Sequence, residues 1–352
     1  MSMRANIFKG PNKIGLEERP IPKAGYGEAV VRVTLTTICG TDVHIMRGEY
    51  PVTIGQIIGH EPVGTIHEIG EGVYGYEIGE RVAINAITPC GQCEYCLSAS
   101  WAQCGGFLGG WKMGNTIDGC QADYVKIPNA VANLTRIPDE LSDEDVLFTT
   151  DIFSTGLSGA ESGNVQVGDT VAVFGQGPIG LSSTAGARLK GATLIIAVES
   201  ATPRMKMSEM MGADIVIDFK KVDPVKEILR ITNSRGVDVA IEAIGLQESF
   251  ENCVKSTRVG GTISSLGVYP AHLGNIGVPL QDFGFGLADK KIVSTLCPGG
   301  KERMRRLISL VRNERVNLRQ LITHRFSLDD IEEAYHIFSN QLDGVIKVAI
   351  KP

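Results

Sequence analysis

No stretch of this 352-residue chain is long and apolar enough to span a bilayer. Its opening residues, Met1 to Phe8, lack the apolar core of a secretion signal, so the expectation is a soluble protein of the cytoplasm with no membrane partner. Positive charge is also scarce. The 34 Lys and Arg are outnumbered by 40 Asp and Glu, the net charge is -6 and the pI about 5.6, and the basic residues are dispersed. A phosphate backbone finds no basic face here, which excludes nucleic acid as an expected partner. Internal repeats and low-complexity segments are absent. Cysteine is a small share of the chain, eight residues in all, and half of them stand at metal-ligand spacing, so a disulfide framework is not expected. What is present is 43 % apolar residues in a chain longer than one usual domain, enough to fill two separate cores.

The four spaced cysteines are Cys90, Cys93, Cys96 and Cys104. Two residues separate each of the first three and seven separate the last, so the thiolates of one loop can converge on a tetrahedral zinc ion. A closed four-sulfur site holds structure. Cys120, Cys253 and Cys297 read as small buried hydrophobes.

Up to about residue 153 the chain is rich in Gly, Val, Ile and Thr, with strand-like stretches such as Ala29 to Leu35 and Arg81 to Ile87. This texture predicts a mainly β domain. From about residue 165, short apolar runs alternate with helical stretches, the pattern of βαβ units around a parallel sheet. Candidate strands are Val171 to Phe174, Leu194 to Val198, Asp214 to Asp218, Val237 to Glu242, Gly261 to Gly267 and Lys291 to Leu296. The helices predicted between them are Pro178 to Leu189, Arg204 to Met211, Pro224 to Thr232 and Gln247 to Thr257. Six such strands complete a doubly wound, Rossmann-type sheet, and the fold class is α/β. The tail adds amphipathic helices near Lys301 to Asn313 and Asp329 to Asn340, the second opened by the cap candidate Ser327, and a last strand, Gly344 to Ile350. The tail lies outside the six-stranded sheet and is expected to return to the first domain.

After the first of those strands comes Gly175, Gln176, Gly177, Pro178, Ile179, Gly180, a Gly-x-Gly-x-x-Gly run leading into a helix. The first glycine permits the tight turn, the second lets the backbone approach a pyrophosphate, and the third lets helix and strand pack closely. The helix N-terminus, with Pro178 and Ile179 in its first turn, then faces the phosphates. Glu199 ends the next strand, where an acid accepts hydrogen bonds from the adenosine ribose and repels a 2′-phosphate. NAD is therefore expected rather than NADP. Arg204 can pair with Glu199, reach the ribose or accommodate a phosphate.

Cys39, His60 and Asp151 form a second candidate ligand set. Singly they read as a buried thiol, a core histidine and a helix cap. Jointly, with flanking glycines, they supply three ligand types for a formally neutral zinc site that leaves one position to the substrate. Thr41 and His44 suggest a proton path, the hydroxyl next to the substrate and the imidazole passing the proton outward. Glu61 reads equally as a partner behind the ligands or as an occasional ligand.

With these residues in place the chain resembles the zinc-dependent medium-chain alcohol dehydrogenases along essentially its whole length, most of all their bacterial and protozoal secondary alcohol dehydrogenases. The segments that carry the likeness are CGTDVH at 39 to 44, GHEPVG at 59 to 64, LGGWKMGNTIDG at 108 to 119, TTDIFSTGLSGAE at 149 to 161, GQGPIG at 175 to 180 and LCPGGKERM at 296 to 304. The resemblance implies a GroES-like, mainly β catalytic domain over 1–154 and 296–352 and a Rossmann cofactor domain over 155–295. It implies one catalytic Zn2+ per subunit held by Cys39, His60 and Asp151, beside the structural Zn2+ that the four spaced cysteines predict, and Trp111 in a small substrate pocket. It also implies a homotetramer that interconverts short secondary alcohols with ketones or aldehydes.

The chain departs from those relatives twice. They lack the full structural cysteine set that is present here. They also tend to use NADP, with Gly, Ser, Arg after the second strand, where this chain has Glu199, Ser200, Ala201. Polyol or threonine dehydrogenases fit the zinc motifs too, but Trp111 and Leu108 favour an apolar pocket. A non-catalytic dinucleotide-binding protein would be expected to have lost a zinc ligand, and all are present.

Overall fold

The computed structural model describes residues 1–269 and 273–352. They divide into two compact units, Met1–Ser154 with Cys297–Pro352, and Thr155–Leu296. No helix among the described residues is long and apolar enough to cross a membrane.

The first unit is organised on the strand Ala29–Thr37, which pairs antiparallel with Val63–Ile69, Tyr124–Ile127 and Lys347–Lys351. Seven of its nine residues are buried, as a central strand covered on both faces requires. Val31 and Val33 enter a core with Ile66, Val82, Ile84, Val125 and Leu134, while Arg32 points to solvent. Each such side chain contributes roughly 1.5–3 kcal/mol on burial. A hairpin of Ser2–Gly10 and Lys13–Pro20 packs on a smaller cluster of Met3, Ala5, Ile7, Ile57 and Ala122.

The tail belongs to this unit. Lys347–Lys351 lies between Ala29–Thr37 and Ile322–Ser327, parallel to the latter. The helix Lys301–Arg312 buries Met304, Leu307, Ile308 and Val311, residues three and four apart on one face. Ser327 does not cap the last helix. That helix runs Ile331–Ser339, and a 3₁₀ turn at Leu328–Asp330 precedes it; Ser327 Oγ binds the Asp330 carboxylate instead of a backbone N–H. The strand expected to reach Ile87 stops at Ile84, because Asn85 Oδ1 accepts the N–H of Ile87 and Ala86 N–H donates to Thr150, away from the ladder.

The second unit is a six-stranded sheet in which every pair is parallel. In chain order its strands are Thr170–Phe174, Leu194–Glu199, Ile215–Asp218, Val237–Glu242, Thr257–Ser265 and Lys291–Ser294. The spatial order is third, second, first, fourth, fifth, sixth, the doubly wound arrangement, with its switch between Thr170–Phe174 and Val237–Glu242. Helices Pro178–Leu189, Thr202–Met210, Pro224–Ile231 and Gln247–Ser256 connect the strands. Pro224 sits in the first turn of its helix, and Asp223 accepts the N–H groups of Val225 and Lys226. The fifth strand begins at Thr257 rather than Gly261, so Gln247–Ser256 passes into it without a loop.

Candidate zinc and dinucleotide sites

Three segments of the first unit deliver one cluster. The central strand leads to Cys39, which opens the helix Gly40–Met46. Gly59 has φ +94, and a Cβ there would come within 2.5 Å of Gln121, so the chain can pass close to Gln121 and present His60 and Glu61 just before Val63–Ile69. Asp151 immediately precedes the helix Ile152–Ser162. One ligand atom from each of Cys39, His60, Glu61 and Asp151 lies within 4.8 Å of the others, and all four residues are buried.

The spacing fits zinc. Asp151 Oδ2 is 3.6 Å from Cys39 Sγ and 3.4 Å from His60 Nε2. Zinc bonds of usual length at tetrahedral angles place sulfur and oxygen about 3.6 Å apart, and nitrogen and oxygen about 3.4 Å apart. His60 Nδ1 lies 3.0 Å from Asp42 Oδ1, which sets the tautomer and leaves Nε2 as the ligand atom. Burial opposes a charge on His60, but Asp42 and Asp151 outweigh it and hold its pKa well above the usual histidine value. Burial pushes the Cys39 thiol up. Ligand binding by that thiol and imidazole therefore displaces protons.

Behind the ligands stands a buried network not foreseen from the sequence. Asp42 Oδ2 accepts the N–H of Cys39 at 2.9 Å and Gln121 Nε2 at 3.2 Å; Gln121 Oε1 accepts Asn6 Nδ2 and the Tyr335 hydroxyl. Asp42 thus closes the capping box of its helix and orients His60 at once. A local signal existed, since Asp42 is the third helical residue after Cys39; Gln121 and Tyr335 carried none. Glu61, fully buried, receives Lys347 Nζ at 2.9 Å on Oε1. Burial pushes its carboxyl up, against the pull of Lys347.

Thr41 Oγ1 lies 3.8 Å from Cys39 Sγ. The His44 ring meets Glu49 and stands edge-on to Tyr50, with ring centres 6.1 Å apart. Trp111 stands edge-on both to Tyr50, at 5.6 Å, and to His60, at 6.1 Å, so these rings form one wall beside the ligand cluster.

The second cysteine group is equally compact. Sγ separations are 3.9 Å for Cys90 and Cys96, 3.5 Å for Cys93 and Cys96, and 3.9 Å for Cys93 and Cys104. Sulfurs at the corners of a zinc tetrahedron lie about 3.8 Å apart, whereas a disulfide needs about 2.0 Å. None of the eight cysteines is in a disulfide. Backbone N–H donation, first from Cys96, lowers Cys93 to about 6, while burial pushes Cys104 up to about 12.

In the second unit, Gly175 has φ +84, and a Cβ on Gly180 would lie 1.8 Å from the Gly175 carbonyl oxygen. Only glycine fits at position 180. A Cβ on Gly177 would meet nothing within 4 Å, so open space adjoins the turn where Pro178 and Ile179 begin the helix. Glu199 Oε1 accepts the N–H groups of Ser200 and Ala201, and Oε2 accepts that of Gln176 at 3.0 Å. Arg204 Nη1 is 4.0 Å from Glu199 Oε2. The acid therefore ties the glycine turn to the end of the second strand.

The chain matches two family models, one described as an alcohol dehydrogenase GroES-like domain over residues 25–139 and one as a zinc-binding dehydrogenase over residues 178–313. It is 51% identical to an alcohol dehydrogenase of Cupriavidus necator, over 99% of both chains. It is 35% identical to an NADP-dependent isopropanol dehydrogenase of Thermoanaerobacter brockii, over 96% of both. Among solved structures, the apo form of a zinc-dependent alcohol dehydrogenase 2 from Streptococcus pneumonia superposes with a TM-score of 0.91 at 33% identity, over 99% of this chain and 98% of that one.

Proposed function

This chain belongs to the zinc-dependent medium-chain alcohol dehydrogenases, and on that premise we propose that it interconverts small secondary alcohols and ketones, or aldehydes, with NAD as the hydride carrier. The observation that carries the reading is the buried set of Cys39, His60 and Asp151 at tetrahedral spacing, with His60 oriented by Asp42. When bound, zinc supplies the Lewis acidity that acidifies an alcohol or polarises a carbonyl, and the nicotinamide takes or gives the hydride.

The chain's own residues do the rest. Cys39, His60 and Asp151 hold the metal, and Glu61 stands ready beside them. Thr41 and His44 lead the alcohol proton outward. Trp111, edge-on to His60, supports an apolar wall suited to a short alkyl chain, since recognition of several hydroxyls would need further polar groups. Cys90, Cys93, Cys96 and Cys104 hold a second zinc that stabilises their loop.

Gly175, Gly177, Pro178, Ile179 and Gly180 receive the pyrophosphate. Glu199 supports NAD. Three backbone N–H groups fix its charge at the end of the second strand, and Oε2 retains capacity for a ribose hydroxyl, whereas a 2′-phosphate would meet that charge. The isopropanol dehydrogenases matched at 33–35% identity are NADP-dependent, and the test below therefore compares the two cofactors. The reading extends to a homotetramer in the cytoplasm, supported by the likeness along the whole chain.

The test is the initial rate with 2-butanol, sorbitol and threonine, each with NAD and with NADP, on protein of measured zinc content. Preference for 2-butanol with NAD is expected. Preference for sorbitol or threonine would overturn the alkyl pocket, and preference for NADP would overturn the role given to Glu199 and move it to Arg204.

A further inference from the structure

The helix Gly40–Met46 is short, and the chain turns back on it at once. Gly48 has φ +78, the left-handed conformation that glycine tolerates best, and the Glu49 N–H donates to the His44 carbonyl at 2.9 Å. That turn brings Glu49 Oε2 against His44 Nδ1. Tyr50 holds the ring from another side, edge-on at 77°. A carboxylate on Nδ1 takes up its N–H and leaves Nε2 as the free acceptor of the ring. Thr41 lies three residues before His44 on the same face of the helix. The His44 and Glu49 side chains are 35% and 48% exposed, so the pair also reaches water.

Among the described residues, the strand Ser2–Gly10 and the helix Ile331–Ser339 are the elements packed most closely against this helix. They carry Arg4, Lys9, Glu332, Glu333 and His336. Arg4 binds Asp123 and Asp329, Lys9 pairs with Glu17, and His336 Nδ1 meets Asn340; Arg47, on the helix's own C-terminal turn, donates to the Ser339 carbonyl. Among the described residues, Glu49 is the only charged group paired with the His44 ring.

We propose that Glu49 is a positioning residue of the proton path, holding His44 in its Nδ1–H tautomer so that Nε2 takes the proton released by the alcohol; this rests on the Thr41–His44 reading given above. In oxidation the alcohol O–H bond breaks and its proton passes to Thr41 Oγ1, whose own proton passes to His44 Nε2. The electron pair of the carbinol C–H bond leaves with its hydrogen as hydride to the nicotinamide. The imidazolium so formed, paired with the Glu49 carboxylate, gives its extra proton to solvent water, and the neutral ring is restored. Glu49 is consumed in no step.

The test uses zinc-loaded, full-length Glu49→Ala, Glu49→Asp and His44→Ala. It reads the ring nitrogens of His44 by 15N NMR, which needs no turnover, and kcat and KM for 2-butanol with NAD. In Glu49→Ala, kcat should fall about tenfold to a hundredfold, the size typical of a partner that orients a working histidine, with KM and zinc content unchanged. The Nδ1–H tautomer should give way to a mixture. Acetate in the buffer and the Glu49→Asp variant should each restore most of the rate. Wild-type kcat and tautomer in Glu49→Ala, with His44→Ala impaired, would overturn the role of Glu49 and leave the proton path standing. Unimpaired turnover in His44→Ala would overturn the path and this inference together. Loss of zinc in Glu49→Ala, with no recovery in acetate, would show structural support and overturn positioning.

Discussion

Lys347 Nζ sits 2.9 Å from Glu61 Oε1 with both side chains sealed from solvent, and donates also to the Ile38 carbonyl at 2.8 Å, one residue before the candidate zinc ligand Cys39. The last strand of the chain thus supplies the counter-charge behind the candidate metal cluster. Phe148 and Phe338 stack against the ammonium, with ring centres 5.4 and 5.9 Å away.

Replacing Lys347 by Met leaves a buried carboxylate without its partner, a change that costs about 3–5 kcal/mol in comparable sites. Urea unfolding of the zinc-loaded variant should show that loss, and Lys347→Arg should recover part of it. A midpoint equal to that of the wild type would mean that Glu61 does not depend on Lys347.

Cys39→Ser and Asp151→Asn alter the open zinc set and leave the glycine turn untouched. Turnover should fall by on the order of a thousandfold or more, the scale of the charge stabilisation a metal supplies. The dissociation constant for NADH, read by its fluorescence, should stay within about threefold of wild type, since the change in binding energy is well below 1 kcal/mol. Normal turnover in either variant would refute that ligand assignment.

Cys93→Ala removes one corner of the four-sulfur group. Metal analysis should give one zinc per chain in place of two, and thermal unfolding should move down, because the remaining thiols cannot close the site. Unchanged melting with two zincs retained would exclude a structural role for this lobe.

Asp238 gives the second unit an acid limit. Burial pushes its carboxyl up, but hydrogen bonds from Arg235, from the Thr170 N–H and from Arg258 prevail and hold it near 2, below the ordinary aspartate value of 3.8. A carboxyl whose folded pKa is depressed stabilises the fold above its unfolded pKa, and the contribution is lost as pH falls from about 4 to about 2. The full contribution is about 1–2 kcal/mol once the partial exposure of both arginines is allowed for. Asp238→Asn should therefore be less stable than wild type at pH 7 and equal to it near pH 2, in denaturant titrations at each pH. A stability difference that does not change across that window would remove Asp238 as its source.

Several features were legible in the order of residues because their physics is local. Cys90, Cys93, Cys96 and Cys104 share one loop, so spacing alone brings their sulfurs together. The glycine turn from Gly175 to Gly180 is likewise local: a steric requirement at Gly180 is met within five residues. The alternation of apolar runs and helices between Val171 and Leu296 predicts the doubly wound sheet, because parallel strands require crossover connections. The tertiary structure decided what depends on partners far along the chain. Cys39 and Asp151 are 112 residues apart, and Glu61 and Lys347 are 286 apart; no local periodicity encodes such encounters. Ile322–Ser327 alternates one buried and two half-buried residues with exposed ones, and with only Ile322 and Phe326 apolar it does not announce a strand; pairing with Lys347–Lys351 makes it one. Asp42, Gln121 and Tyr335 are ordinary polar residues in sequence. Burial around His60 turns them into its support, since a polar group removed from water must find its partner inside the protein.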